Sequence, residues 1–175
     1  WEDDAQLKGF EVVVTGIGMV TPLGTTAVEN REAWRSGGQA RFAPLSELAR
    51  TPLREARIAL MPDFDPGERL GSRRMLKYMS ESAVLGCVAA HEAAGDANMR
   101  RRFRADRIGL YAGTGLAAAR VEEATPMLRE STDEKGRFSC RLLGERGLAA
   151  ANPLLSFKIL ANMPPCLVSI VEGVK

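Results

Sequence analysis

Histidine is nearly missing from this chain of 175 residues, with His91 the single imidazole. Without a visible partner in sequence it reads as a helix-face residue and not as a general base. Cysteine is scarce too: Cys87, Cys140 and Cys166 lie far apart and are odd in number. That spacing fits neither a disulfide framework nor a zinc site and suits a reducing compartment. Net charge is only +2, so the total gives no nucleic-acid footprint and no strong pull toward an anionic membrane. No apolar run approaches the ~18 residues of a membrane span, and no signal-peptide pattern opens the chain. Cytoplasmic residence is therefore the expectation. The chain begins at Trp1, without methionine, and reaches Lys175 directly after an apolar helical stretch, so both termini read as cut.

What the chain does have is 45% apolar content, enough for one globular domain or a large piece of one. Its most informative segment is Glu11 to Gly24, EVVVTGIGMVTPLG, a β-branched run opening into a turn that contains Gly16 and Gly18. A dinucleotide fingerprint would need a third glycine or alanine where Thr21 stands, so the phosphate-cradling reading fails there. Thr26 and Glu29 form a capping box for a helix running through Trp34 and ending at Gly37-Gly38. Ala40 to Pro52 reads as loop, Ala56 to Met61 as strand, and Asp63 to Gly67 as turn. Ser72 is the expected cap of the longest helix, Arg73 to Ala94, ended by Gly95. Its Ser82, Gly86 and Ala90 make a small-residue stripe for close packing against a sheet, with apolar residues on the other faces.

Arg107 to Ala112 is the third expected strand, entering the Gly113-Thr114-Gly115 turn, and Ala117 to Glu130 continues as helix. Gly113 to Ala118 satisfies a looser dinucleotide pattern with Asp133 as its acidic residue, which keeps a nucleotide-binding domain open as an alternative. Against it, Pro126 interrupts the helix and Asp133 sits in the polar run Ser131 to Arg137. Asn152 to Lys175 is largely helical with a break at Met163-Pro164-Pro165. The dense basic run Arg100, Arg101, Arg102, Arg104 is either a solvated loop or a docking patch for an acidic partner.

Five of these segments, in order and at matching spacing, resemble the N-terminal part of the β-ketoacyl synthases: VVVTGIGMVTPLG, MPDFDP, SRRMLKYMSESAVLGCVAAHEAAGDA, RIGLYAGTGLAAA and NPLLSFKILANMPPCLVSIVEGVK with its Asn162-Met163 pair. Ala117-Ala118 stand where the family commonly has Gly-Gly, and Leu76-Lys77-Tyr78 replaces a frequent Asp-Arg-Phe. The resemblance implies an α/β, thiolase-like fold, incomplete here: one N-terminal synthase domain over residues 1–175, with a mixed sheet packed by helices, one of them long and buried. It implies an acyltransferase performing decarboxylative Claisen condensation of acyl and malonyl thioesters, with acyl carrier protein as partner and no cofactor. A homodimer, or a heterodimer with a chain-length factor, is the implied assembly. It implies neither nucleic acid nor membrane as partner.

That chemistry needs a thiolate on a strand-to-helix elbow and two histidines that polarise the malonyl thioester. By resemblance the nucleophile follows Gly173-Val174-Lys175 by about ten residues and both histidines come later, so no catalytic residue and no metal ligand is expected in this chain. Cys166 reads as a packed thiol, Cys87 lies on a core face, and Cys140 borders a basic loop. Two positions carry binding expectations instead. Leu116 matches a residue lining the acyl tunnel of long-chain synthases, and Leu155 matches one reaching across the dimer interface, though either leucine would also suit a core. Thr15, Gly16, Gly113 and Gly115 read as turn geometry. A chain-length-factor-like subunit, of the same fold without the nucleophile, is the alternative within the family.

Overall fold

The computed structural model describes residues 11–115 and 120–174. Leu116, Ala117 and Ala118 lie outside the described residues, as do residues 1–10. The regular structure of the described residues is mostly helical, and its centre is a pair of packed helices. The longer, α3 (Glu81–Asp96), is capped by Ser80, whose hydroxyl accepts from the Ala83 N–H. It packs along α9 (Met163–Glu172), which Pro164 and Pro165 begin and Gly173 ends in the left-handed region. Prolines serve in a first helical turn because the N–H groups there have no carbonyl to reach. Met79, Ala83, Cys87 and Val88 meet Leu167 and Val168 in the core, with Leu70 at one end and Val20, Phe64 and Met163 against the edges.

The expected start of the long helix is corrected by the structure. Residues 73–80 form turns and a short 3-10 segment, Leu76–Tyr78, and Ser80 takes the capping role foreseen for Ser72. Both serines stand before helix-forming runs; Met75 and Met79 bury their side chains by leaving the helical path. The packing stripe is also different. Ser82 and Gly86 are exposed, and a Cβ at Gly86 would meet nothing within 4 Å. The contact face runs instead through Ala83, Cys87 and Val88 toward α9 and through Ala89, Ala93 and Ala97 toward the Gly16–Gly18 segment.

That segment shows why the expected sheet is not formed by these residues. Residues 11–20 belong to no helix or strand, no strand among the described residues pairs with them, and Val12 is 91% exposed. Their N–H groups find carboxylates: Asp96 accepts from Ile17 N–H at 3.1 Å and Glu92 from Met19 N–H at 3.0 Å, one turn apart on α3. Glu92 also accepts from Ala27 N–H at 2.9 Å, tying α1 to α3. The approach demands glycine, since a Cβ at Gly18 would stand 1.8 Å from the Ala89 carbonyl oxygen and one at Gly16 2.3 Å from that of Ala93. Residues 108–115 likewise pair with no strand among the described residues, and Tyr111 is 97% exposed. A strand exists only where a neighbour takes its hydrogen bonds. Gly113 and Gly115 adopt no positive φ and touch nothing with a would-be Cβ, so their reading as turn geometry is corrected too.

The ladder that does form is a hairpin of β1 (Phe42–Pro44) and β2 (Arg57–Ala59), antiparallel with Ala43 opposite Ile58. The second strand falls inside the expected Ala56 to Met61 run, whereas the first lies in a stretch read as loop. Before the hairpin, α1 (Ala27–Arg35) starts at Thr26, whose side chain accepts from Glu29 N–H, and its chain reverses at Gly37 with φ of 71°. The Glu29 carboxylate reaches one residue further back, to Thr25 N–H at 2.7 Å and the Thr25 hydroxyl at 2.9 Å. After the hairpin, Asp65 caps the short α2 (Pro66–Arg69).

Short α4 (Met99–Arg102) follows α3, and beyond the 108–115 stretch comes α5 (Val121–Glu130). It packs on a helical run of α6 (Cys140–Leu142), a π-type turn (Leu143–Gly147) and α7 (Leu148–Ala150). The fully buried Ser131 is the C-cap residue of α5 and donates its hydroxyl to the Met127 carbonyl at 2.6 Å. Short α8 (Leu155–Ile159) then leads into α9.

Candidate functional site

Of the two positions singled out for binding, the structure describes Leu155, and it places part of the glycine segment near the chain that follows α8. Thr114, in the glycine segment, donates its hydroxyl to the Ala161 carbonyl at 3.1 Å and so holds that segment beside Asn162-Met163. Leu155, at the start of α8, is 8% exposed, and Tyr78 packs edge-on against Phe157 at 5.5 Å between ring centroids. Leu116 lies outside the described residues.

A cavity of about 640 Å³ opens between the first turns of α3 and α5 and the end of α8. Its walls carry charge that sequence reasoning missed. Lys158 pairs with Glu123, both side chains about four-fifths buried, and Arg120 pairs with Glu81 nearer the surface. The Lys158 ammonium, with the Arg120 N–H at 3.3 Å, holds the Glu123 carboxyl below the usual carboxylate range. The partners of the inner pair are 35 residues apart, so no helical spacing announces them.

The cysteines separate clearly. Cys87 is fully buried, and desolvation, aided by the Glu172 charge, pushes its thiol up to about 11. A thiol held protonated so far above neutrality is no nucleophile. Cys166 is exposed on α9, which corrects its reading as a packed thiol, and Cys140 is exposed at the start of α6. His91, read as a helix-face residue with no partner visible in sequence, sits on α3 with its Nδ1 2.7 Å from Glu172 Oε1. Arg100 completes the cluster, donating to the Val171 carbonyl at 2.6 Å and reaching Glu172 Oε2 at 3.4 Å. Glu172 is 4% exposed, so a buried carboxylate ties α9 to α3 and α4. Its one sequence signal is a lone acid in the apolar run LVSIVEG. Arg100 is thereby withdrawn from the basic run, Arg104 pairs with Asp106, and Arg102 lies over the Phe103 ring.

Asp133 does what a turn residue does, accepting from Lys135 N–H and Arg137 N–H at 2.9 Å each, and those donors lower its pKa. It stands at no strand end, which removes the acidic partner a Gly113–Ala118 dinucleotide site would need. Among the described residues no group of three or more His, Cys, Asp or Glu could hold a metal ion, and no helix is long and apolar enough to cross a membrane.

Residues 10–174 match the family described as "Beta-ketoacyl synthase, N-terminal domain". The chain belongs to this family. It is 26% identical over 172 residues to the 3-oxoacyl-[acyl-carrier-protein] synthase 2 of Synechocystis sp., a similarity covering 98% of this chain and 38% of that protein. Among solved structures it resembles the ishigamide ketosynthase/chain length factor, with a TM-score of 0.62, 19% identity, and coverage of 93% of this chain and 37% of that one. At that identity the likeness speaks for the ketosynthase fold alone. The chain thus spans well under half the length of both relatives.

Proposed function

We propose that this chain is the N-terminal part of a β-ketoacyl-acyl-carrier-protein synthase of fatty-acid or polyketide biosynthesis, working in the cytoplasm. The observation that carries the reading is the family match across nearly every residue, 10–174. In the reaction, an acyl group passes from a carrier thioester to an enzyme cysteine. Malonyl thioester then loses carbon dioxide, and the resulting enolate attacks the acyl thioester, forming the new carbon–carbon bond and releasing the thiolate. The nucleophile and both histidines are assigned to the part of the protein beyond Lys175. These 175 residues contribute scaffold and acyl-pocket wall, with Leu116 along the tunnel and Leu155 toward a second subunit. Acyl carrier protein delivers both thioesters, and the assembly is a homodimer or a pair with a chain-length factor.

The test compares the complete protein with residues 1–175 alone, each given acyl- and malonyl-acyl-carrier-protein. A 3-oxoacyl product and carbon dioxide from the complete protein, and neither from the shorter chain, is the expected result. No product from the complete protein alone, with activity appearing on addition of a companion synthase, would replace this reading by the chain-length-factor one. Condensation by residues 1–175, lost on Cys166→Ala, would overturn the assignment of the nucleophile to later residues.

A further inference from the structure

The uncovered surface between α1 and the segment that follows Gly16 carries an inference that rests on the synthase reading only in taking further residues to follow Lys175. A groove of about 840 Å³ opens there, lined by Ile17, Met19, Leu23, Val28 and Trp34. All five are exposed, Trp34 at 82%. Glu92 and Asp96 of α3 form the opposite wall, but their carboxylates already accept from the N–H groups of Ile17, Met19 and Ala27, so that wall asks for no polar ligand. The groove asks for apolar cover. Val12, Val13 and Val14 continue the exposed run toward the N-terminus, and a contiguous apolar surface of this kind marks a contact with another segment or chain.

What covers it is indicated by where the chain leaves α9. Glu172, in the last turn of that helix, is bonded to His91, and the next residue of α3, Glu92, lines the groove. The two contacts lie about 100° apart around one turn of α3. Gly173, with φ of 66°, then turns the chain out of the helix. A helix with its side chains is about 10–12 Å across and extended chain covers about 3.3 Å per residue, so a handful of residues beyond Lys175 reaches the groove. In both relatives more than half of the length has no counterpart here, which is ample chain for the purpose. A tethered segment also acts at an effective concentration of about millimolar, ahead of a free partner. We propose that residues following Lys175 in the complete protein cover this groove within the same subunit, laying apolar side chains on Ile17, Met19, Val28 and Trp34. Arg31 and Arg35, also lining the groove from α1, would suit an acidic partner instead, and a second copy of the chain is the other competitor. The test separates the three.

The experiment uses the complete protein in two ways. Hydroxyl-radical footprinting of the wild type reads Trp34 by mass spectrometry, and its oxidation is expected to slow about fivefold or more against the urea-unfolded protein, because a covered indole loses most of its exposed area. The photo-cross-linking residue p-benzoylphenylalanine in place of Trp34 then identifies the cover. The expected adduct runs at the mass of one subunit on a denaturing gel and maps to a peptide beyond residue 175. Oxidation of Trp34 at its unfolded rate overturns the inference without any variant. So does an adduct at twice the subunit mass, which means a second copy, one formed with added acyl carrier protein as the acidic partner, or one confined to residues 1–175. Condensing activity of the same wild-type sample keeps the two readings apart. An active synthase with a reactive Trp34 loses this inference alone, and an inactive protein with a covered Trp34 loses the synthase reading alone.

Discussion

At Gly18 the distance from a would-be Cβ to the Ala89 carbonyl oxygen, 1.8 Å, is well inside van der Waals contact, and the obstacle is helix backbone. Gly18→Ala must therefore push residues 16–19 off α3, breaking the hydrogen bonds from Ile17 and Met19 to Asp96 and Glu92. Overpacking of this kind costs typically about 1–3 kcal/mol. Gly86, on the same helix, has open space around it, and alanine there should stabilise by roughly 0.5–1 kcal/mol through helix propensity alone. Urea melts of the two variants check both signs at once. If Gly86→Ala destabilised and Gly18→Ala did not, the stripe Ser82, Gly86, Ala90 would be the packing face after all, and the described contact of Gly18 with α3 would be wrong.

Helix α1 shows how an element depends on one ionised side chain. Hydrogen bonds from Thr25, through its backbone N–H and its hydroxyl, hold the Glu29 carboxyl below the usual carboxylate range. A carboxyl whose folded pKa is depressed contributes stability above its unfolded pKa, about 4.3, and loses it as pH falls through the folded value. Stability should therefore decline below about pH 4.3, and Glu29→Gln should flatten that decline while leaving a smaller, pH-independent loss at neutrality. Thermal melts across pH 3 to 7 read both effects; an equally steep acid decline in the variant would assign it to Glu123 and Asp133, whose carboxyls are lowered too. Elements with local signals were legible in sequence: the Thr26 cap of α1 and the paired prolines that begin α9; Asp63 to Gly67, read as turn, also carries the Asp65 cap of α2. Of the expected strands only Ala56 to Met61 holds one, β2; EVVVTG and RIGLYA carry the right residue types, but pairing depends on a neighbour elsewhere in the chain. The site pairs were hidden for the same reason. His91 and Glu172 stand 81 residues apart, and nothing in either segment points to the other.

For the molecule as a whole, the outcome that separates pocket from core is chain length, and Leu116 is where it should register. Of the described residues nearest to it in sequence, Thr114 donates to the Ala161 carbonyl and Arg120 pairs with Glu81. In the complete protein Leu116→Phe should shorten the acyl products, because overpacking a fitted site costs about 1–3 kcal/mol and the penalty falls only on chains long enough to reach it. Leu116→Ala should relax that limit, since each methylene accommodated contributes about 0.8 kcal/mol. A leucine that merely fills a core would behave differently: both variants would melt at lower temperature and leave the length profile where it was. Product lengths measured together with melting temperatures decide between them, and an unshifted distribution from a folded Leu116→Phe enzyme would remove Leu116 from the acyl pocket while leaving the family assignment untouched.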